Sequence, residues 1–199
     1  MTNSHQEDRQ RPVDELVQAG CSDRESFGQL FDHFHPQIFA YCSRRLIARA
    51  VAEDVTSEIF LKVAGNIRKF SGTTEEDFRR WLFRIATNEI NAQLRQSIRR
   101  RELLEAAARM GTIDASISTT LTSRHEQTDW LDVYEALSNL SEQEQSIISL
   151  RFFGGLKHEQ ISEVLDIKTN TARVAMSRAL DKLRERLRQH PAFEQKGGN

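Results

Sequence analysis

The 199-residue chain has little of what many protein classes require. Cysteine occurs twice, at Cys21 and Cys42, which is too few for a disulfide framework or a four-cysteine zinc site. Proline occurs three times and glycine nine times, and aromatics make up 8%, a poor supply of turn and strand formers for an all-β fold. No uninterrupted apolar run approaches the roughly 18 residues of a membrane-spanning helix. The opening stretch, MTNSHQEDRQRP, has no apolar centre of the signal-peptide kind. Net charge is also nearly absent: 28 Lys and Arg stand against 29 Asp and Glu, so any preference for a charged partner must come from distribution. What remains is 38% hydrophobic residues spaced for helices, in a chain long enough for two small helical units.

Residues 1–22 read as a loosely ordered arm with room for one short helix. Ser22 and Glu25 have capping-box spacing. Phe27, Leu30, Phe31, Phe34, Ile38, Phe39, Cys42 and Leu46 then recur at helical intervals, with Pro36 expected to kink or split the helix. A second helix is expected over about 50–65, with Ala52, Val55, Ile59, Phe60 and Val63 as its buried stripe. Gly72 and the neighbouring Ser and Thr residues mark a loop, and Thr74 or Glu75 opens a helix running to about residue 100. Its expected core positions are Phe78, Leu82, Ile85, Ala86, Ile90, Leu94 and Ile98. Residues 102–128, rich in Ala, Ser and Thr, read as a flexible linker, and 191–199 as a tail. The expected fold is therefore all-α, with one helical bundle over 23–101 and a second unit over 129–190.

In the second unit Trp130, Val133, Leu137 and Leu140 share a face. Ser141 with Glu144 forms a capping box ahead of Ile147, Ile148 and Leu150, and Gly154-Gly155 ends that helix. A short helix (157–165), a turn at 166–168 and a longer basic helix (169–188) follow, with Ile161, Val164, Leu165, Ile167, Val174, Met176, Leu180 and Leu183 as the expected core. This is a helix-turn-helix plan, whose second helix enters the major groove. Thr169 can cap that helix. Thr169, Asn170, Thr171, Arg173, Val174, Ser177 and Arg178 are the candidate DNA readers: Arg suits guanine edges and phosphate, Asn suits adenine, and the hydroxyls suit phosphate. Asp166 occupies a turn position that needs a left-handed backbone, which Asp tolerates better than most residues.

Charge is segregated. Residues 78–101 hold Arg79, Arg80, Arg84, Arg95, Arg99, Arg100 and Arg101 against Glu89. Residues 168–190 carry a similar basic excess, and two basic helices on two units suit one polyanion. On the 75–100 helix Arg84, Asn88, Asn91 and Arg95 form a polar stripe, with Trp81 and Phe83 near its start and Phe70 in the preceding loop. Such a mixture fits unstacked bases, while core packing explains the aromatics equally well. On the helix over 50–65, Asp54, Glu58 and Leu61 fall on one face opposite the core stripe, flanked by Ser57, a surface suited to a basic protein groove. His33 and His35 lie beside Asp32, but their i, i+2 spacing does not converge on a metal; no metal or cofactor is expected.

The stretches AEDVTSEIFLKV (52–63), FRRWLFRIATNEINAQLR (78–95) and LSNLSEQEQSIISLRFFGGLKHEQISEVLDIKTNTARVAMSRALDKLRERL (137–187) resemble bacterial sigma-70 family RNA polymerase sigma factors. The likeness is to the compact extracytoplasmic-function (ECF) type, built from σ2 and σ4 domains alone. It implies that Asp54, Ser57, Glu58 and Leu61 dock on the β′ clamp helices of core RNA polymerase. It implies −10 promoter contacts from Phe70, Arg80, Trp81, Arg84, Asn88, Asn91, Arg95 and Arg99, with the loop over 66–77 capturing a flipped base. The first σ4 helices would grip the β flap, and the recognition helix would read the −35 element in duplex promoter DNA. A cytoplasmic protein without catalysis of its own, without a small-molecule substrate and without membrane insertion is implied. An anti-sigma factor is a further partner known in the family. Ser57 stands where many members have Gln, Ala92 and Gln93 replace an acidic and an aromatic residue, and Ala175 replaces a frequent Arg; these departures imply a weaker clamp contact and shifted promoter preferences. The competing expectation is a stand-alone helix-turn-helix regulator that dimerises on an operator, which would need a dimer face or a ligand pocket in its first unit.

Overall fold

The computed structural model describes residues 12–20, 23–110 and 136–188. The expected linker beyond Met110, the helix face at Trp130 and Val133, Cys21, Ser22, the first eleven residues and the tail lie outside the described residues. Among the described residues every regular element is helical: α1 (Val13–Gly20), α2 (Arg24–Arg45), α3 (Arg49–Asn66), a 3-10 turn (Ile67–Lys69), α4 (Glu75–Arg109), α5 (Glu142–Phe152), α6 (His158–Leu165) and α7 (Thr169–Arg188).

Helices α1 to α4 form the first unit. Asp23 caps α2 by accepting from the Glu25 and Ser26 backbone N–H groups at 3.1 and 2.9 Å, so the cap is Asp23 rather than Ser22. The helix runs on through Pro36 instead of splitting there. Buried Leu30, Phe34, Ile38, Tyr41 and Cys42 lie on both sides of the proline, and their burial outweighs one lost backbone hydrogen bond. Helix α3 contributes Ala52, Val55, Ile59, Phe60 and Val63, and α4 contributes Phe78, Leu82, Phe83, Ala86 and Ile90. Leu16 and Val17 of α1 close one end of this core, so the short helix for which the arm had room is formed and packed. Thr74 caps α4 in a full capping box with Asp77, and the Thr74 hydroxyl holds that carboxyl below its usual range.

Helix α4 continues to Arg109, past the expected end near residue 100. Residues 101–109 contain Leu103, Leu104 and three alanines, all strong helix formers, and no breaker. Beyond Asn91 the helix leaves the core. Ile98 is 50% exposed and Leu94 half-buried, so the core stripe expected there ends at Ile90.

The second unit comprises Ala136–Leu140, α5, α6 and α7. Ser141 and Glu144 form the expected capping box on α5, and Glu144 also accepts from Lys182 of α7 at 2.7 Å. Lys182 holds the Glu144 carboxyl below its ordinary range. The chain leaves α5 through Gly154 and Gly155, the latter at φ +66°, a left-handed conformation that glycine adopts without penalty. Asp166 ends α6 at φ 54°, ψ 50°, the left-handed turn that its position demanded. The seam between α6 and α7 is Ile161 and Val164 against Ala172, Met176 and Ala179. Val174 points outward at 42% exposure, whereas Leu165, Ile167, Leu180 and Leu183 border the core.

The two units pack against each other, α5 and α6 lying on α4 and α5 also on the C-terminal end of α2. Arg45, Asn91, Ser146 and Ser149 are buried at this junction.

Candidate nucleic-acid and polymerase interfaces

Three surfaces follow from this placement. The first is the outward face of α3. Asp54, Ser57, Glu58 and Leu61 are all exposed, and Leu61 at 72% is held out in water. The Ser57 hydroxyl is turned back onto the Glu53 carbonyl at 3.0 Å, and Glu53 pairs with Arg49 at 2.9 Å. An exposed leucine among carboxylates offers a partner one apolar anchor inside an acidic field.

The second surface lies where the end of α3 and the 3-10 turn meet α4. Here Lys62, Asn66, Lys69, Trp81, Ile85, Asn88 and Glu89 line a pocket of about 330 Å³. Phe70 packs on Trp81 at 5.1 Å and on Phe78 at 5.6 Å between ring centroids, which fixes the indole at the pocket wall. The two aromatics at the start of α4 thus divide: Phe83 is fully buried core, and Trp81 is half-buried with a face available. Lys62 pairs with Glu89 at 2.5 Å on the rim, leaving Lys69 to supply positive charge. Flat π surface, amide groups and a lysine are the chemistry that holds an unstacked base and its phosphate. Asn66 and Lys69 fall within the 66–77 stretch expected to capture a base, though neither was singled out there; Lys62 escaped the expectation because it comes from α3, and no spacing within α4 points to it.

The remaining residues of the expected −10 set are distributed unequally. Asn88 and Arg99 are exposed. Asn91 is buried, accepting from the Arg45 guanidinium at 2.7 Å and donating to the Ser146 hydroxyl at 3.2 Å. Arg80 is held by Asp77 at 2.5 Å and by Glu163 at 2.8 Å. Arg84 donates to the Glu163 carbonyl, and Arg95 pairs with Glu142 at 2.6 Å. Arg45 and Arg79 also reach across the junction, to the Ser149 hydroxyl and the Gly154 carbonyl, and neither belonged to the expected set.

The third surface is α7. Asn170, Thr171, Arg173, Val174, Ser177 and Arg178 are exposed along its N-terminal half. Thr169 opens the helix, but its hydroxyl lies 3.1 Å from that of Ser162 and ties α7 to α6, while the Lys168 carbonyl receives the first-turn N–H of Ala172. Arg173 is steered by Glu159 at 2.7 Å; that carboxyl is held below its usual range by its own backbone N–H and by Arg173. An apolar Val174 between Asn170 and Arg178 gives the face a methyl-contacting group between hydrogen-bonding ones.

Two family models match this chain, Sigma-70 region 2 over residues 30–101 and Sigma-70, region 4 over residues 130–183. The chain belongs to the sigma-70 family. It is 27% identical over 183 residues to the ECF RNA polymerase sigma-E factor of Haemophilus influenzae, an alignment covering 87% of this chain and 92% of that one. It is 25% identical over 178 residues to the ECF RNA polymerase sigma factor BldN of Streptomyces coelicolor, covering 87% of this chain and 64% of that longer relative. Its fold is similar to that of the sigma factor RpoE solved with the anti-sigma factor NepR from Bartonella quintana, with a TM-score of 0.63 and 22% identity over 83% of this chain and 98% of that one. The chain is a sigma factor of the ECF type, and a stand-alone operator-binding regulator is not favoured. No helix among the described residues is long and apolar enough to cross a membrane.

Proposed function

We propose that this sigma factor works in the cytoplasm without catalysis of its own, docking on the β′ clamp helices through Asp54, Ser57, Glu58 and Leu61 and on the β flap through the start of its second unit. The melted −10 strand is taken by Trp81, Phe70, Arg80, Arg84, Asn88, Arg95 and Arg99, with a base placed in the pocket beside Trp81; Asn91, expected in this set, is instead buried between Arg45 and Ser146. The −35 duplex is read by Thr169, Asn170, Thr171, Arg173, Val174, Ser177 and Arg178. One observation supports this reading: a single chain holds a pocket walled by Trp81, Asn66, Asn88 and Lys69 on one unit and an exposed polar and basic helix on the other. A regulator of duplex DNA needs only the second. Separate duplex and single-strand readers suit a protein that meets promoter DNA before and after melting. The anti-sigma complex of the Bartonella quintana relative supports an anti-sigma protein as a further partner.

The test mixes the purified chain with sigma-free bacterial core polymerase and follows both by gel filtration. Co-elution that is lost in the Asp54→Arg/Glu58→Arg variant supports clamp docking by the α3 face. Wild-type chain eluting apart from core, and giving no promoter-dependent transcript with it, would overturn the proposal.

A further inference from the structure

This inference rests on the promoter-reading role proposed above and names the kind of base that its pocket takes. Residues 78–101 carry seven arginines and a single carboxylate, Glu89. A carboxylate repels a phosphate strand, so its place on a strand-binding helix calls for a reason. It lies beside Asn88 in the wall of the pocket of about 330 Å³ next to Trp81. Its side chain is 16% exposed, and Oε1 accepts from the Lys62 ammonium at 2.5 Å. Its Oε2 takes no partner among the described residues.

The other groups of the pocket do not tell one base from another. The Trp81 indole offers stacking, which every base satisfies. Asn66 is engaged within its own turn: its Nδ2 donates to the Lys62 carbonyl at 2.9 Å, and its Oδ1 accepts from the Lys69 ammonium at 3.3 Å. The two ammonium groups only donate, and every base has acceptors for them. The Asn88 amide is exposed and both donates and accepts, so it turns to suit its ligand. Among the pocket-lining side chains Glu89 alone accepts without being able to donate. Cytosine, adenine and guanine each bring an exocyclic amine to such an acceptor. Thymine and uracil bring only a ring N–H set between two carbonyl oxygens, and a carboxylate that reaches it also meets an oxygen.

We propose that Glu89 sets the identity of the base in this pocket: its carboxylate accepts from an exocyclic amine, so the pocket takes an amino-bearing base and rejects thymine. Lys62 holds the carboxylate in the pocket wall and offsets its repulsion of the strand. Trp81 supplies affinity, and Glu89 supplies discrimination.

The test uses the complex of the chain with sigma-free core polymerase and two fluorescein-labelled single strands of about twelve nucleotides, oligodeoxycytidine and oligodeoxyuridine. Each strand presents one base in every register, so the position of the pocket base need not be known. The two differ only on the Watson–Crick edge. Fluorescence anisotropy, measured against core alone, is expected to show roughly tenfold tighter binding of the cytidine strand by wild type. In Glu89→Gln, whose amide can turn either end to the base, that ratio is expected to fall to about one. Loss of charge by itself would tighten both strands equally and leave the ratio unchanged, so the ratio separates base reading from electrostatics. Equal binding of the two strands by wild type, including none above core alone, overturns the proposal, and this arm needs no variant to fold. A ratio that survives in Glu89→Gln overturns it as well and leaves Glu89 as a tie between α3 and α4. Core co-elution and promoter-dependent transcription by the wild-type chain separately judge the promoter-reading role, so the two failures are distinguishable.

Discussion

The first unit carries two polar faces of opposite sign, and they are treated in opposite ways. The acidic face of α3 is presented to solvent, and among the described residues neither Asp54 nor Glu58 takes an ion-pair partner. The basic face of α4 is divided: Arg80, Arg84 and Arg95 reach acceptors on α5 and α6, whereas Asn88 and Arg99 stand exposed without such a contact. A surface for a partner that is met first can stand open. Their difference teaches that a polar stripe on a helical wheel says which chemistry is available, not which of its side chains a neighbouring helix has engaged.

The largest effect that would separate the faces is charge reversal on α3. Asp54→Arg/Glu58→Arg places like charge against a basic groove, a juxtaposition that costs several kcal/mol. Core co-elution should be lost while the thermal midpoint stays within a few degrees, because neither residue packs in the core. Next is the shared polar clasp: Asn91→Ala takes from the buried Arg45 guanidinium one of its acceptors, at 2.7 Å, and should cost about 1–3 kcal/mol in urea unfolding. Asn88→Ala, on the same stripe but exposed, should stay within about 0.5 kcal/mol. Equal costs for the two would mean that the clasp does not persist in solution.

A smaller effect tests the second unit alone. The folded-state pKa of Glu144 is lowered, so its pairing with Lys182 adds stability above the ordinary carboxylate range, and that stability is lost as pH falls through the lowered value. Acid unfolding followed by circular dichroism should therefore show a smaller loss of stability between neutral and acid pH in Glu144→Gln than in wild type. A Gln variant with an unchanged acid limb would show that other groups set it. Smallest of all is the Arg95–Glu142 pair, with side chains 48% and 47% exposed. A double-mutant cycle should give about 0.2–1 kcal/mol and vanish in high salt.

Local signals were readable where local chemistry decides. The Ser141–Glu144 capping box, the paired glycines after α5, the left-handed Asp166 and the bounds of α7 follow from short-range hydrogen bonding and backbone sterics. The buried stripe of α3 followed from helical periodicity. Pro36 misled because a proline's local cost is small against the burial of Phe34 and Ile38 beside it. Val174 was assigned both to the core and to the groove; alanines at 172 and 179 let α6 approach closely and leave the valine outside. The unequal fates of Asn88 and Asn91 were illegible for a different reason. They are three residues apart on α4, and what holds Asn91 is Arg45 from α2 and Ser146 from the second unit.

The Asp166 turn has a consequence for finding such proteins. A left-handed backbone costs a non-glycine residue roughly 1–2 kcal/mol, less for Asp, whereas glycine at the same place surrenders more chain entropy on folding, roughly 0.5–1 kcal/mol. The two penalties nearly cancel, so Asp166→Gly should be close to neutral in stability. A search pattern that demands glycine at this corner encodes a statistical habit rather than a physical requirement. It would pass over chains like this one, whose corner has the same shape and carries a negative charge.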